Sequence, residues 1–416
     1  MTTLFINIKE LIQVRELSED KVYGKDMGVL PIIKNAFMLI KGHTIIDFGS
    51  MDNLDIRKAD KVVDLTGKLV LPTWCDSHTH IVYADSREDE FVDRIKGLSY
   101  HEIAEKGGGI LNSAKKLQDK TEDQLYNAAV TRIEEIIKSG TGALEIKSGY
   151  GLTLDSELKM LQVIKKLKET FPIPIKATFL GAHAIPSKYK ENREEYIELI
   201  INNIIPKVAS QKLADYIDVF CEKGYFSAEE TDRILKAGAI HGLIPKIHVN
   251  QFNSVGGVKV GVNNNALSVD HLEVLTDEDL SILSKSDTMP VALPSCSFFL
   301  GIPYTNARKL IDTNVPMAIA SDYNPGSSPS GNMNFVNSLA CIQQRMLPRE
   351  IVNASTLNGA YAMDVHDVLG SIAVGKKASL IITKQLNSLT ELFYYFGQNN
   401  IDEVIVNGKR LDSKAN

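Results

Sequence analysis

The sequence predicts an α/β fold: a (β/α)8 TIM-like barrel, with a small β-sandwich domain composed from both chain termini. Three observations carry this expectation. Eight strand-like runs alternate with helical stretches through the middle of the chain. Metal-capable side chains recur where those runs end, as they do at the mouth of such a barrel. Both termini are rich in β-forming sequence. At 416 residues the chain exceeds one ordinary compact domain but suits a barrel with an appended unit. The expected division is 1–68 with 362–416 for the composite domain, and 69–361 for the barrel. An open doubly wound sheet is the alternative, but no Gly-x-Gly-x-x-Gly follows a first strand.

Taken in order, Ala36–Ile40 and Thr44–Phe48 flank Lys41-Gly42-His43 as a hairpin, which makes His43 a polar turn residue. The apolar run Lys68–Ser77 is the expected first barrel strand, ending at His78-Thr79-His80. A helix is expected over Thr121–Ser139, stopped by Gly140. The second to fourth strands are Ala143–Ile146, Ile175–Leu180 and Tyr216–Phe220. Ser227-Ala228-Glu229-Glu230 has the capping-box pattern that opens a helix. The fifth to eighth strands are Pro245–Val249, Ala266–Asp270, Pro290–Leu293 and Pro316–Ala320. Ala378–Ile382 and Glu403–Val406, the latter before an Asn407-Gly408 turn, return to the β pattern.

Composition excludes several classes. Apolar residues make up 44% and charged residues 24%, which is ordinary for a soluble globular protein. A net charge of −6 gives no pull toward nucleic acid or anionic membrane. Lys165-Lys166 and Lys376-Lys377 read as solvated faces. Cys75, Cys221, Cys296 and Cys341 are far apart with no Cys-x-x-Cys, so no disulfide framework is expected and a reducing cytoplasm is. No signal-peptide pattern or bilayer-length apolar run is apparent, which agrees with a cytoplasmic protein.

His78 and His80 lie two apart, so in extended backbone both imidazoles face one side, a half-site for zinc or a similar metal. His183 follows the third strand, His248 ends the fifth, His271 follows the sixth and Asp322 the eighth. Their shared position at strand ends outweighs the separate alternatives: a hydrogen-bonded core histidine for His248, or a helix cap for Asp322. His271 reads equally as a ligand or base and as a residue supporting one, and His183 as a substrate donor or a structural residue. His101, His241 and His366 fall away from strand ends and are expected at the surface. Three imidazoles and a carboxylate leave one coordination position for water, whose pKa a metal brings from ~15.7 to about 7. That set favours hydrolysis of a C–N bond, with zinc or iron as the ion.

With these residues the chain resembles the amidohydrolase superfamily, and within it the imidazolonepropionase family, hydrolases of histidine degradation. The resemblance runs along nearly the whole chain. It rests on Asp76-Ser77-His78-Thr79-His80, Ser86-Arg87-Glu88-Asp89-Glu90-Phe91, Gly107-Gly108-Gly109-Ile110, Glu145–Gly151, Leu180-Gly181-Ala182-His183-Ala184 and Ser321–Ser327. It implies hydrolysis of 4-imidazolone-5-propanoate to N-formimidoyl-L-glutamate with one zinc or iron per subunit. It further implies metal ligation by His78, His80, His248 and Asp322, and substrate contacts from Arg87, Tyr150, His183 and Gln251. Asn324, Gly326 and Ser327 would line the product side, with Asp322, His271 and His183 in catalytic roles. The expected partner is a small anionic substrate, without nucleic acid or membrane, in a homodimer. A guanidinium at Arg87 suits a propionate carboxylate; without the resemblance, a surface ion pair with Glu88 or Asp89 is the favoured reading. The alternative is another cyclic amidohydrolase or a nucleobase deaminase with the same metal set.

Two departures from the family pattern matter. Leu71-Pro72-Thr73-Trp74 stands where relatives usually have Pro-Gly, and Gln251 where some carry Glu. An amide cannot act as general base, so that role falls to His271 or Asp322. Two-metal relatives use a modified lysine at the end of the fourth strand. Here that strand ends Phe220-Cys221-Glu222, which favours one metal while leaving Lys147 and Lys223 open.

Overall fold

A computed structural model describes residues 1–54 and 59–410, for Tyr100 and His101 the backbone only. Its N-terminal strands are β1 (Thr2–Ile12), β2 (Ile32–Lys41), β3 (Thr44–Ser50), β4 (Lys61–Asp64) and β5 (Lys68–Pro72). The middle of the chain supplies β6 (Trp74–Asp76), β7 (Thr141–Lys147), β8 (Ile175–Ala182) and β9 (Tyr216–Cys221). It continues with β10 (Ile244–Val249), β11 (Ser268–His271), β12 (Met289–Ala292) and β13 (Ala318–Ile319). The C-terminal part adds β14 (Leu380–Gln385), β15 (Ile401–Val406) and β16 (Lys409–Arg410).

Strands β6 to β13 pair in parallel and in sequence order, with helices between them. The ring closes just beyond the strands: Asp322 N–H donates to His78 C=O (3.0 Å), and His80 N–H to Tyr323 C=O (2.8 Å). Closure therefore runs through the segments that carry the candidate ligands. The helix expected after the first strand spans Glu122–Lys138, capped by the Thr121–Gln124 box. Gly140 ends it at φ +101°, where a Cβ would come within 2.8 Å of Ile381. The Ser227–Glu230 box likewise opens Ala228–Ile240.

The expected sandwich takes the form of one mixed sheet, in the order β16-β15-β14-β5-β1-β2-β3, with β4 also on β1. Phe5, Ile8, Met38, Ile40, Val70, Leu380, Ile382 and Ile405 share its core. The run Lys68–Ser77 is not one barrel strand. Its first half pairs with β1 and β14, and only Trp74–Asp76 joins the barrel. Pro72 has no N–H with which to extend the ladder, and Thr73 N–H turns to Ser379 C=O (3.2 Å).

Two further expectations change. Lys376 is buried, its ammonium donating to Leu369 C=O (3.1 Å) and Ser371 Oγ (2.7 Å), whereas Lys165 and Lys166 are exposed. His366 is half-buried against the Tyr361 ring, 5.3 Å between centroids, while His43 and His241 are exposed. The expectation for the side chain of His101 lies outside the described residues.

Candidate metal centre and substrate pocket

His78 and His80 leave β6 on one side of the chain, as the two-residue spacing requires, and their Nε2 atoms are 3.3 Å apart. Asp322 Oδ1 lies 3.5 Å from each of these nitrogens. Donors about 2.0–2.1 Å from a tetrahedral ion stand about 3.3 Å from one another, so this spacing suits an ion at their centre. The His248 ring is 4.4 Å from that of His78, centroid to centroid. Its Nε2 is buried without a hydrogen-bond partner among the described residues. Such an atom is costly unless something binds it. The donor set thus fits a divalent metal.

Carboxylates stand beside the other ring nitrogen of His78 and of His248, while His80 Nδ1 is buried without a hydrogen-bond partner among the described residues. His78 Nδ1 lies 2.6 Å from Asp270 Oδ2, and His248 Nδ1 lies 3.0 Å from Asp218 Oδ2. The hydrogen-bond acceptor at His78 Nδ1 fixes the tautomer that presents its Nε2 lone pair. The Asp218 carboxylate, close to His248 Nδ1 but outside hydrogen-bond alignment, favours the same tautomer there by its charge. Burial, reinforced by the Lys147 charge, keeps His78 well below the ordinary histidine range. Burial and His183 do the same for His80, and burial with His248 brings His183 down to about 3. All three rings are therefore neutral at pH 7, the state a ligand requires.

His271 behaves differently. Burial opposes its protonation, but Glu273, with Oε1 at 3.3 Å from Nδ1, raises it. His271 (φ +90°) and Asp322 (φ +54°) both occupy left-handed backbone, which costs about 1–3 kcal/mol each and is typical of functional sites.

Beneath the rings lies a layer of buried charge formed by Glu145, Lys147, Asp218, Lys246 and Asp270. The Lys147 ammonium is engaged by Glu145 (2.5 Å), Asp218 (2.8 Å) and Asp270 (3.6 Å), and Lys223 is exposed. Neither lysine is presented as a bridging ligand, and Glu222, the residue after β9, is taken by the N–H groups of Phe252 and Asn253.

The remaining expected residues line the same pocket: Arg87, Tyr150, His183, Gln251, Asn324 and Ser327, with His271 and Asp322. His183 stacks on His80, 5.3 Å between centroids, and Tyr150 lies 5.4 Å from His183. Asn324 Oδ1 accepts from the N–H groups of Gly326 and Ser327 (2.8 Å each), which folds the loop after β13 over the mouth. Arg87 is 5% exposed, so the surface ion pair with Glu88 or Asp89 does not form. Its neighbour is instead Glu90, 3.7 Å away, which also accepts from Gly109 N–H and Asn112 Nδ2. Arg87 Nε and Nη1 are buried with no hydrogen-bond partner among the described residues. The guanidinium packs where a Gly326 side chain would be, 1.2 Å from a built Cβ. The enclosed space is about 30 Å³, enough for about one water. A larger concavity of about 780 Å³, lined by Cys341, Ile342, Met346, Phe393, Tyr394 and Phe396 among others, lies apart from these residues.

Asp218, Asp270, Glu273, Glu90 and Cys296 were not singled out from sequence. The first two left a signal, an acid inside an otherwise apolar strand. Glu273 and Cys296 join His271 in a cluster that only the fold assembles.

The chain matches the amidohydrolase family model over residues 69–411. It is 62% identical to an imidazolonepropionase of Christiangramia forsetii, covering 99% of this chain and 100% of that protein. It is 41% identical to an imidazolonepropionase of Geobacillus thermodenitrificans, over 98% of each. Among solved structures it resembles a triazine hydrolase variant (TM-score 0.77, 14% identity, 99% of this chain and 94% of that one). It also resembles guanine deaminase from C. acetobutylicum with bound guanine (TM-score 0.70, 17% identity, 99% and 100%).

Proposed function

This chain belongs to the amidohydrolase family and, within it, to the imidazolonepropionases, hydrolases of histidine degradation; from that premise we propose how its barrel mouth carries out the reaction. The substrate is 4-imidazolone-5-propanoate and the product N-formimidoyl-L-glutamate. The single observation that carries this reading is the buried Arg87 guanidinium in one pocket with the imidazole–carboxylate cluster. A cation there suits an anionic side chain better than a neutral nucleobase.

His78, His80, His248 and Asp322 would hold one zinc or iron ion per subunit. Bound there, it would supply Lewis acidity to a water and to the ring carbonyl. Arg87 pairs with the propionate, and Tyr150 adds a hydroxyl to the same anion. His183, neutral, hydrogen-bonds the ring, and Gln251 orients it. Asp322 takes a proton from the attacking water through the oxygen that faces Ser327 Oγ (3.3 Å) and passes it to the leaving nitrogen. His271, its proton favoured by Glu273, donates to the carbonyl oxygen as negative charge develops. Oxygen from water joins the carbonyl carbon, and the ring C–N bond breaks with its nitrogen taking up the proton. The ring opens to one product that carries both the new carboxylate and the formimidoyl group. Asn324, Gly326 and Ser327 border the new carboxylate.

Four free cysteines support a reducing cytoplasm, and no described helix is long and apolar enough to cross a membrane. Tyr394, Phe396 and Ile342, exposed around the larger concavity, support a homodimer. The deciding assay follows the ultraviolet loss of fresh imidazolonepropionate against its spontaneous rate. Metal-replete protein should accelerate it, and no acceleration with metal bound would overturn the reading.

A further inference from the structure

Two carboxylate oxygens each make two contacts beneath the candidate metal centre. Asp270 Oδ2 lies 2.6 Å from His78 Nδ1, and Asp218 Oδ2 lies 3.0 Å from His248 Nδ1. The Lys147 ammonium stands between the same two oxygens, 2.8 Å from Asp218 Oδ2 and 3.6 Å from Asp270 Oδ2. All three side chains are fully buried, so no solvent screens them. We infer that Lys147 is a positioning residue: its ammonium clamps the two carboxylates that orient His78 and His248, and so sets the separation of the two ligating rings. The inference rests on the metal reading given above.

The physical need is specific. Each ring must give its Nδ1 proton to an acceptor to present Nε2. Two acceptors this near each other repel, and a buried anion without a partner is strongly penalised. One ammonium hydrogen-bonds Asp218 and, as an ion pair, attracts Asp270 from the same point, while the Lys246 charge and the Ser268 hydroxyl also act on Asp270. Glu145, two residues earlier on β7 and so on the same side, takes another donor at 2.5 Å. Burial works against the charge on Lys147, but attraction from Asp218, Glu145 and Asp270 outweighs it and holds the amine well above its ordinary range.

The test is Lys147→Met, read as metal affinity by competition with a chromophoric chelator and as the visible spectrum of the cobalt(II) form. Affinity should fall about 10-fold with a changed cobalt spectrum. This is the lower end of the loss when a group bonded directly to a metal-bound histidine is removed, because Lys147 acts through Asp218 and Asp270. Lys376→Met, which removes a buried lysine hydrogen-bonded to Leu369 and Ser371, should leave both unchanged. A folded Lys147→Met protein with wild-type affinity and spectrum would overturn the inference. So would an equal loss in Lys376→Met, because a general weakening of the fold would then suffice. Should Lys147→Met not fold, Lys147→Gln, whose amide reaches one carboxylate only, is read by the same criteria. His78→Ala in parallel separates the two readings: if it leaves the metal in place, the assignment of the centre fails, independently of Lys147.

Discussion

At the scale of single residues, Arg87 illustrates how burial redirects an interpretation. Apart from the family resemblance, the sequence favours an ion pair with Glu88 or Asp89 over substrate binding, because all three are adjacent. In the fold the guanidinium turns inward, and Glu90 ties it to the Gly109 backbone. Arg87→Ala should lower kcat/KM about 10- to 100-fold, the value of a hydrogen-bonded charge pair. Most of the loss should appear in KM, measured by steady-state kinetics. Asp322→Ala should abolish turnover while circular dichroism stays native; near-normal turnover would remove it from the mechanism. Lys376 supports a prediction about pH. Burial brings it down to about 8 from 10.5, so between those values the unfolded chain binds more protons than the folded one. Stability therefore gains from this residue as pH rises from about 8 to 10.5. Urea melts across that range should lose this increment in Lys376→Met.

At the scale of elements, the eight barrel strands were legible because each is a short apolar run, and strand ends are local features. The apolar run Lys68–Ser77 misled because a single stretch serves two sheets, and nothing in its hydrophobicity marks the change at Thr73. Strand β1 went unrecognised for a related reason. A bulge between Phe5 and Ile8, with Asn7 at φ +57°, breaks the two-residue alternation that identifies strands. The loop after β13 was recognisable as a turn, but its contact with Arg87 was not. Gly326→Ala would push a methyl into the guanidinium, and kcat/KM should fall on the order of 100-fold through misplacement of Arg87. A variant with unchanged kinetics would mean that the loop yields and the arginine does not move.

At the scale of the whole molecule, the segments that close the barrel are the ones that carry the candidate ligands. Backbone hydrogen bonds of His78, His80, Asp322 and Tyr323 join the first and last strand segments, and Ser321 adds two more to the Asp76 carboxylate. An ion held by those side chains binds the folded chain in preference to the unfolded one. Chelation should therefore lower the melting temperature by several degrees, with recovery on adding metal back, as followed by calorimetry. The terminal sheet acts at the same scale. Strand β5 ties β1 to β14 and leads through Thr73 directly into β6, anchoring the start of the barrel. Sedimentation velocity tests the dimer: wild type should run as a dimer, and Tyr394→Asp with Phe396→Asp as a monomer.

The sequence by itself determined the candidate ligands, the fold class and the family resemblance, because residue spacing along a strand and position at a strand end are properties of a few neighbouring residues. Only the tertiary structure decided which groups support those ligands. Asp270 is 192 residues from His78, and Asp218 is 71 from Lys147. No local pattern can pair such residues. Closing eight strands into a ring brings their side chains into one buried layer, where each charge must find its partner.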